Sequence, residues 1–150
     1  MPSVTIASAP TATPAAKAST NPMQTTGFDA LYGLEILELT DELAVGRIPV
    51  RAELLQPFGL VHGGVYAAVA ESLASHGTGL PALAEGKIAM GMSNQTSFLR
   101  PITAGTINAR ATRRHGGRTT AVWDVEITDG ADRLCALSRV TIAVRERRES

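Results

Sequence analysis

The stretch from Gly59 to Thr78 limits the possible folds of this chain more than any other, because a glycine-rich segment passes there into a helix. Apolar residues recur at every fourth position, which is the spacing of one face of an α-helix. This stripe consists of Val61, Val65, Val69 and Leu73. The opposite side carries Gly64, Ala67, Ala68, Glu71, Ala74 and Ser75. Nearly all of these are small, so a second backbone can approach closely. We predict one long helix that loosens or ends around Gly77–Pro81.

Strand patterns lie on both sides of this helix. They predict strands over residues 32–39, 43–54, 87–100, 105–114, 119–128 and 133–145. A turn at Gln56–Gly59 precedes the helix, and the pairs Gly116-Gly117 and Asp129-Gly130 mark hairpin turns between the last strands. Two strands, one helix and four strands predict an α+β fold, with an antiparallel sheet wrapped around one long central helix.

The N-terminal segment differs from the rest in composition. Residues 1–26 are rich in Ala, Thr, Ser and Pro, and they contain one lysine and no acidic residue. Such a segment buries too little apolar surface to offset the entropy lost on ordering. We therefore predict a disordered tail over residues 1–26 and one globular domain over residues 27–150.

Composition and motifs argue against several classes of function. The formal net charge is zero, which gives no indication of nucleic-acid or membrane binding. No apolar run is long enough to span a bilayer, and the N-terminus lacks a secretory pattern, so we expect a cytoplasmic protein. The one cysteine, Cys135, lies in an apolar strand pattern and is predicted to be a core residue. The sequence has no phosphate-binding loop, dinucleotide fingerprint or metal-ligand motif, so no metal is expected.

The charge is distributed unevenly. Residues 1–99 hold 4 Lys+Arg and 8 Asp+Glu, whereas residues 100–150 hold 10 and 6. This asymmetry predicts a binding site for an anionic ligand on the strands of residues 100–150. The alternative is that these arginines are scattered, solvated side chains on edge strands.

The start of the helix and its one carboxylate carry the candidate chemistry. A helix N-terminus presents unpaired N–H groups and a partial positive charge. Gly63 and Gly64 let a ligand atom approach these groups, which makes them a candidate oxyanion site for a carbonyl under attack. Glu71 can act as nucleophile or as base toward water, and Ser75 can hydrogen-bond to it or hold that water. The alternatives are a paired or solvated Glu71, a tight turn at the glycines, and a helix-entry or packing role for His62.

Helix geometry predicts that the site is shared between two copies of the chain. Gly63 and Glu71 are eight residues apart, which is about 12 Å along a helix. Attack on a carbonyl requires the nucleophile and the oxyanion donors to lie about 3 Å from one carbon. Two antiparallel helices in a C2 dimer meet this requirement, because each places its Glu71 beside the Gly63 of the other.

At these residues the chain resembles the hotdog-fold acyl-CoA thioesterases. The matching segments are Gly59-Leu60-Val61-His62-Gly63-Gly64 with Ala70-Glu71, then Ser93-Asn94-Gln95-Thr96-Ser97-Phe98-Leu99-Arg100-Pro101, Trp123-Asp124-Val125 and Ile142-Ala143-Val144-Arg145. Within the family, the likeness is greatest to the Arthrobacter-type 4-hydroxybenzoyl-CoA thioesterase and its phenylacetate-pathway relatives. The resemblance implies a hotdog fold and hydrolysis of an aryl acyl-CoA thioester to the free acid and CoA. CoA is then part of the substrate, and no separate cofactor is implied.

The resemblance also implies roles for individual residues. Glu71 is the catalytic carboxylate, as nucleophile or general base, and the Gly63 N–H polarises the carbonyl. Gln56 lies near the thioester or leaving group, Ser75 supplies a supporting hydroxyl where the nearest relatives carry Thr, and His62 is retained as a catalytic candidate. The residues expected to bind substrate, chiefly its CoA part, are Gly64, Arg100, Arg118, Thr119 and Arg148. Arg118 stands where the family has a Ser, so it either strengthens the contact with phosphate or points to solvent. The family further implies a homotetramer built as a dimer of dimers.

Two other functions remain open, and the acyl group is not determined. A hotdog acyl-CoA hydratase or dehydratase would act on the same class of thioester, and a non-catalytic module would only bind acyl-CoA. The nearest precedent for the acyl group is 4-hydroxybenzoyl, but phenylacetyl-type and dihydroxynaphthoyl thioesters use similar pockets. The residues expected to line the acyl pocket, between the helix and the facing strands, are Phe58, Tyr66, Met90, Met92 and Phe98.

Overall fold

The computed structural model describes residues 22–147, which form one antiparallel six-stranded sheet with a long helix packed against it. The helices are α1 (Gly27–Tyr32) and α2 (Gly63–Ala84), and a short 3₁₀ turn covers Ala52–Leu54. The strands are β1 (Glu35–Leu39), β2 (Leu43–Pro49), β3 (Lys87–Phe98), β4 (Thr106–Gly116), β5 (Thr120–Thr128) and β6 (Leu134–Glu146). Their order across the sheet is β1-β2-β4-β5-β6-β3. The predicted α+β architecture is confirmed, and each predicted strand is present with adjusted bounds.

The core lies between α2 and one face of the sheet. The predicted apolar stripe is buried, and it packs against strand residues that alternate between the two faces. In β5, for example, Trp123, Val125 and Ile127 are fully buried. Cys135 is also fully buried, as predicted. Ala74 was predicted on the side of the helix opposite the apolar stripe but is completely buried. The exposed face of α2 is therefore narrower than the sequence indicates.

The sequence predicts that α2 loosens or ends near Pro81 and leaves a continuation through Ala82–Ala84 open, and the helix does continue to Ala84. Proline removes one hydrogen bond from a helix interior. Packing compensates for this loss, because Gly77 and Thr78 are buried and Trp123 Nε1 donates to Thr78 Oγ1 at 2.8 Å. A Cβ on Gly77 would lie 2.4 Å from the Trp123 ring, so this glycine permits the close approach of helix and sheet.

Helix α1 replaces the start of the predicted strand 32–39. The helix ends at Gly33, whose φ of 83° lies in the left-handed region that glycine favours at helix C-termini. Gly33 N donates to Ala30 O at 3.1 Å, and Leu34 N donates to Asp29 O at 2.9 Å. Of α1, only Tyr32 lies in the predicted strand, and the sequence pattern assigns no element to residues 27–31.

The second predicted strand, residues 43–54, also ends earlier than expected. β2 stops at Pro49, and Ala52–Leu54 forms the 3₁₀ turn instead. Pro49 pairs with Thr106 of β4 but lies beyond the residues of β2 that pair with β1. This position suits a residue that has no backbone N–H.

The predicted disordered tail falls mostly on residues 1–21, which lie outside the described residues. Its last residues are attached to the sheet. Met23 N donates to Ile36 O at 2.8 Å, and Thr25 Oγ1 donates to Leu34 O at 2.8 Å. The chain therefore contacts β1 a few residues before the predicted domain boundary.

Candidate active site along the long helix

The N-terminus of α2 presents two successive glycine amides with different surroundings. His62 is the N-cap residue, and its Nδ1 accepts a hydrogen bond from Gly64 N at 2.9 Å. The amide of Gly63 has no acceptor among residues 22–147. The candidate oxyanion donor is therefore Gly63 rather than Gly64.

A cleft of about 440 Å³ opens beside Gly63. Its other lining residues are Gln56, Leu60, Val61, Tyr66, Phe98, Leu99, Arg100 and Pro101. Gln56 Oε1 accepts from Phe58 N at 2.9 Å, which leaves the side-chain nitrogen of Gln56 as a donor. The Tyr66 hydroxyl is buried and has no hydrogen-bond partner of ordinary geometry among the described residues. Burial raises its pKa, and the nearby backbone of Ile102 opposes this only in part.

Glu71 lies two turns further along α2 and is exposed in the single chain. Its carboxylate forms no hydrogen bond or ion pair within residues 22–147. The side chain lies against Gly91 of β3, where a Cβ would be 2.6 Å from Glu71 Oε1. Glu71 and Ser75 line the same depression of about 330 Å³, although no hydrogen bond joins them. Glu71 is therefore not a paired structural carboxylate, which leaves a solvated position or a role in a site.

The depression around Glu71 also contains polar residues that sequence reasoning missed. Asp29 Oδ1 accepts from Ser72 Oγ at 2.6 Å and from Tyr32 OH at 3.0 Å, and Asp29 Oδ2 lies 2.8 Å from His76 Nε2. Burial acts to raise the pKa of the Asp29 carboxyl, but hydrogen bonds with Ser72, His76 and Tyr32 outweigh it and leave this pKa below its ordinary value. The sequence carries no signal for this cluster, because Asp29 and Ser72 are 43 residues apart.

The predicted phosphate-binding arginines lie at two separate places. Arg100 lines the cleft beside Gly63. Arg118 lines a pocket of about 240 Å³ near the C-terminus of α2, together with Lys87 and Arg113. β3 connects these two places and has 12 residues, which corresponds to about 40 Å in an extended strand. One chain therefore does not bring both arginines to one ligand.

The remaining predicted substrate contacts are placed only in part. Thr119 lies in the β4–β5 turn, where its carbonyl accepts from Arg145 Nη1 at 3.0 Å, and Arg148 lies outside the described residues. Several other arginines have carboxylate partners: Arg113 with Asp41 and Glu42, Arg114 and Arg139 with Asp124, and Arg133 with Asp129. No such partner is found for Arg100 or Arg118 in the described part of the chain, so both remain candidates for an anionic ligand.

The residues predicted to line the acyl pocket do not come together. Tyr66 and Phe98 share the cleft beside Gly63. Phe58 is 88% exposed in its turn, and Met90 and Met92 are exposed on the edge strand β3. The five residues therefore do not form one pocket in the single chain, because the turn and the strand hold them on different surfaces.

The model of the thioesterase superfamily matches residues 58–136, which is more than half of the chain and includes α2 and β3. The chain belongs to the thioesterase superfamily. A 1,4-dihydroxy-2-naphthoyl-CoA hydrolase of Listeria monocytogenes is 35% identical over 123 residues, covering 82% of this chain and 99% of that protein. A proofreading thioesterase of Cronobacter turicensis is 35% identical over 112 residues, covering 75% of this chain and 81% of that protein. The chain is accordingly an enzyme that hydrolyses acyl thioesters.

The fold of this thioesterase agrees with its relatives. A solved thioesterase of Haemophilus influenzae superimposes with a TM-score of 0.75 at 36% identity, covering 81% of this chain and 84% of that one. The antiparallel sheet around one long helix is the hotdog fold, as the resemblance implied. Among the described residues of this thioesterase, none of the helices combines the length and apolar character needed to cross a membrane, and no three side chains are grouped as metal ligands.

Proposed function

We propose that this thioesterase hydrolyses an aryl acyl-CoA thioester of the 4-hydroxybenzoyl type to the free acid and CoA. The reaction is supported by one helix that carries both a Gly63 N–H and an exposed Glu71, neither of which has a hydrogen-bond partner within residues 22–147. The aryl group is supported by the resemblance stated above and by a relative whose substrate is a dihydroxynaphthoyl-CoA. CoA enters as part of the substrate, and the proposed chemistry uses no metal or further cofactor.

The chemistry follows from the positions of these groups. Gly63 N–H donates to the thioester carbonyl oxygen, where negative charge develops during attack, and the helix dipole adds to this stabilisation. Glu71 attacks the carbonyl carbon or takes a proton from an attacking water, which Ser75 helps to hold. The C–S bond then breaks, and the CoA thiolate takes up a proton. If Glu71 is the nucleophile, a water then hydrolyses the acyl–Glu71 anhydride, which releases the free acid and regenerates the carboxylate. The Gln56 side chain donates near the thioester and orients it.

The site requires two chains, because Gly63 and Glu71 of one helix are about 12 Å apart. β3 is an edge strand, and large apolar residues are exposed along it and just after it: Met90, Met92, Phe98 and Leu99. An edge strand with exposed apolar side chains favours pairing with a second copy. We infer a C2 dimer through β3, in which Glu71 of one protomer lies beside the partner subunit's Gly63.

The same dimer explains why the predicted CoA contacts lie apart in one chain. Arg100 lies near the N-terminus of α2 and Arg118 near its C-terminus. Antiparallel helices bring Arg100 of one protomer toward the partner's Arg118. Arginine forms charge-assisted hydrogen bonds with phosphate, so this pair is suited to one CoA. Association of two such dimers into a tetramer remains a prediction.

The cavity between α1 and α2 is the best candidate for the acyl group. It has a volume of about 580 Å³ and is lined on one side by Phe28, Leu31 and Tyr32 of α1. It shares Phe28 and Ala68 with the depression around Glu71, so a group attached to the reacting carbonyl can enter it. The rest of the lining is apolar except for Arg51, Glu53 and His62, and a mainly apolar and aromatic lining with a small number of polar groups is typical of small-molecule sites.

A matched pair of variants tests the oxyanion donor. Gly63→Pro removes the N–H at the first helical position, where proline is well tolerated, and the ψ of 133° at His62 is compatible with a following proline. Gly63→Ala keeps the N–H. Like proline, alanine adds a Cβ, which lies about 3.0 Å from Phe98. We expect kcat of Gly63→Pro to be about 10²- to 10³-fold below that of Gly63→Ala. Equal kcat values for the two variants would contradict the role of this amide.

The reaction and the acyl group are tested with a panel of aryl and alkyl acyl-CoAs. Free-thiol release should depend on Glu71, so Glu71→Gln should lower kcat about 10²- to 10⁴-fold while CoA still binds. The value of kcat/KM should be highest for aryl thioesters. Double-bond formation or hydration without thiol release would support the hydratase or dehydratase alternative. Binding of acyl-CoA without any turnover by the wild-type protein would support the binding module.

A further inference from the structure

We propose that Gly91 is a positioning residue for Glu71, and this proposal rests on the catalytic role proposed for Glu71. A Cβ on Gly91 would lie 2.6 Å from Glu71 Oε1, 3.1 Å from Cδ and 3.5 Å from Cγ. The distal half of the Glu71 side chain therefore lies directly against the backbone of Gly91. Any side chain at position 91 would occupy the space that the carboxylate fills.

Backbone conformation does not explain the glycine at this position. The glycines with a left-handed φ are Gly27, Gly33, Gly59, Gly86 and Gly105. Gly91 pairs with Ile142 of β6 next to a shift of register between Gly91 and Ser93, but its φ is not left-handed, so it is not the type of bulge that requires a glycine. Glycine weakens a strand interior, because it has no side chain to pack and loses more entropy on folding. The missing Cβ is therefore explained by what lies over the strand, which is Glu71.

The atoms that an alanine at position 91 would meet belong to a flexible side chain. A Cβ on Gly77 would instead meet the buried Trp123 ring at 2.4 Å, so a substitution there disturbs the core. The Glu71 carboxylate is exposed and can rotate away from an added methyl group. Alanine at position 91 should thus leave the sheet intact and displace the carboxylate.

Hydrogen bonds hold β3 against α2 close to this contact. Asn94 Nδ2 donates to the carbonyl oxygen of Ala67, one turn before Glu71, at 2.8 Å. Thr96 Oγ1 donates to Asn94 Oδ1 at 2.8 Å and orients the amide. A β-bulge follows Gly91 directly, and bulges near active sites re-aim side chains. The space over Gly91 is therefore bounded by strand and helix atoms that are fixed relative to each other.

The contact with Gly91 is the one that the structure gives for the Glu71 carboxylate, which has no hydrogen-bond partner within residues 22–147. A misplacement of about 1 Å in a reacting group can lower the rate about 10²-fold. Substrate affinity depends on other groups, namely the apolar cavity and the arginines. Displacement of Glu71 should therefore appear in kcat and not in KM.

The test is the kinetics of Gly91→Ala for thiol release from an aryl acyl-CoA. We expect kcat to fall about 10- to 100-fold and KM to change less than about 3-fold, with the thermal midpoint and the dimer retained. Gly130→Ala is the control, because a Cβ at Gly130 would meet no atom within 4 Å. This control should show wild-type kinetics. Wild-type kinetics of Gly91→Ala, or a raised KM at unchanged kcat, would overturn the proposal.

A second comparison separates positioning from a structural role. In the Glu71→Ala background the added methyl group meets no carboxylate, so Gly91→Ala should raise the thermal midpoint or leave it unchanged. A lower midpoint or loss of the dimer in that background would mean that Gly91 is structural, and the proposal would fail. If Glu71→Ala itself releases thiol at the wild-type rate, the proposed function fails instead. Loss of activity in Glu71→Ala with wild-type kinetics of Gly91→Ala overturns only the positioning role.

Discussion

His62 stands directly before the glycines of α2, and its Nδ1 accepts a hydrogen bond from Gly64 N. The sequence leaves two roles open for this histidine, a catalytic base or a residue at the helix entry. The observed bond satisfies an amide that has no acceptor within the helix, which is the role of an N-cap. It also occupies Gly64 N–H, so only Gly63 N–H is left as the oxyanion donor in the proposed mechanism.

This capping role predicts a difference between two substitutions. Asparagine is a good N-cap residue, so His62→Asn should keep the stability of the protein, whereas His62→Ala should lose about 1 kcal/mol of unfolding free energy. Both variants should retain kcat within about 3-fold, because neither removes a reacting group. Denaturant unfolding and thiol release measure the two effects. A stable His62→Asn protein that releases no thiol would assign His62 to catalysis.

At the scale of elements, α1 depends on α2 for its stability. A helix of six residues is not stable alone in water. Tyr32 is buried, and Asp29 joins α1 to Ser72 and His76 of α2. α1 also forms one wall of the proposed acyl cavity. Loss of the hydrogen bonds of Asp29 should therefore affect both the stability of the protein and the wall of the proposed acyl cavity.

The lowered pKa of Asp29 gives this connection a defined pH dependence. Because the carboxyl titrates below its ordinary value in the folded state, its contribution to stability is present above about pH 4 and is lost as the pH falls through the folded pKa. Asp29→Asn should lower the unfolding free energy by about 1 kcal/mol at pH 7 and by less at pH 3. Asp132→Asn, in an exposed turn, is the control and should change little at either pH. A constant difference between wild type and Asp29→Asn across this range would contradict the assignment.

The elements that could be predicted are those with a strong local pattern. β4, β5 and β6 each bury one face, so their alternation appears directly in the sequence. α1, the last turn of α2 and the early end of β2 depend on contacts with distant parts of the chain, such as Trp123 with Thr78. The same limit applies to the site. Gly63 and Glu71 are visible in one local segment, whereas Asp29 and Gly91 are brought to Glu71 only by the fold.

At the scale of the whole molecule, one chain separates the groups to which the proposed mechanism assigns thioester hydrolysis. Gly63 and Arg100 lie at one end of α2, Glu71 lies in its middle, and Arg118 lies near its other end. The rise of the helix alone predicts that two copies are needed. Within residues 22–147, β3 is the last strand of the sheet and exposes apolar side chains, which makes it the surface proposed for the second copy. A symmetric dimer then contains two sites, each with one Gly63 and one Glu71 from different chains.

Mixed dimers test this arrangement directly. Chains that carry Gly63→Pro and chains that carry Glu71→Gln are co-expressed with different tags, and the heterodimer is purified through both tags. One of its two sites then combines an intact Gly63 with an intact Glu71, so the heterodimer should show about half of the wild-type kcat per dimer, while each parent homodimer is nearly inactive. A dimer assembled from two Glu71→Gln chains with the same tags is the control for recovery during purification. If each site belonged to a single chain, the heterodimer would be as inactive as its parents, and the shared site would have to be abandoned.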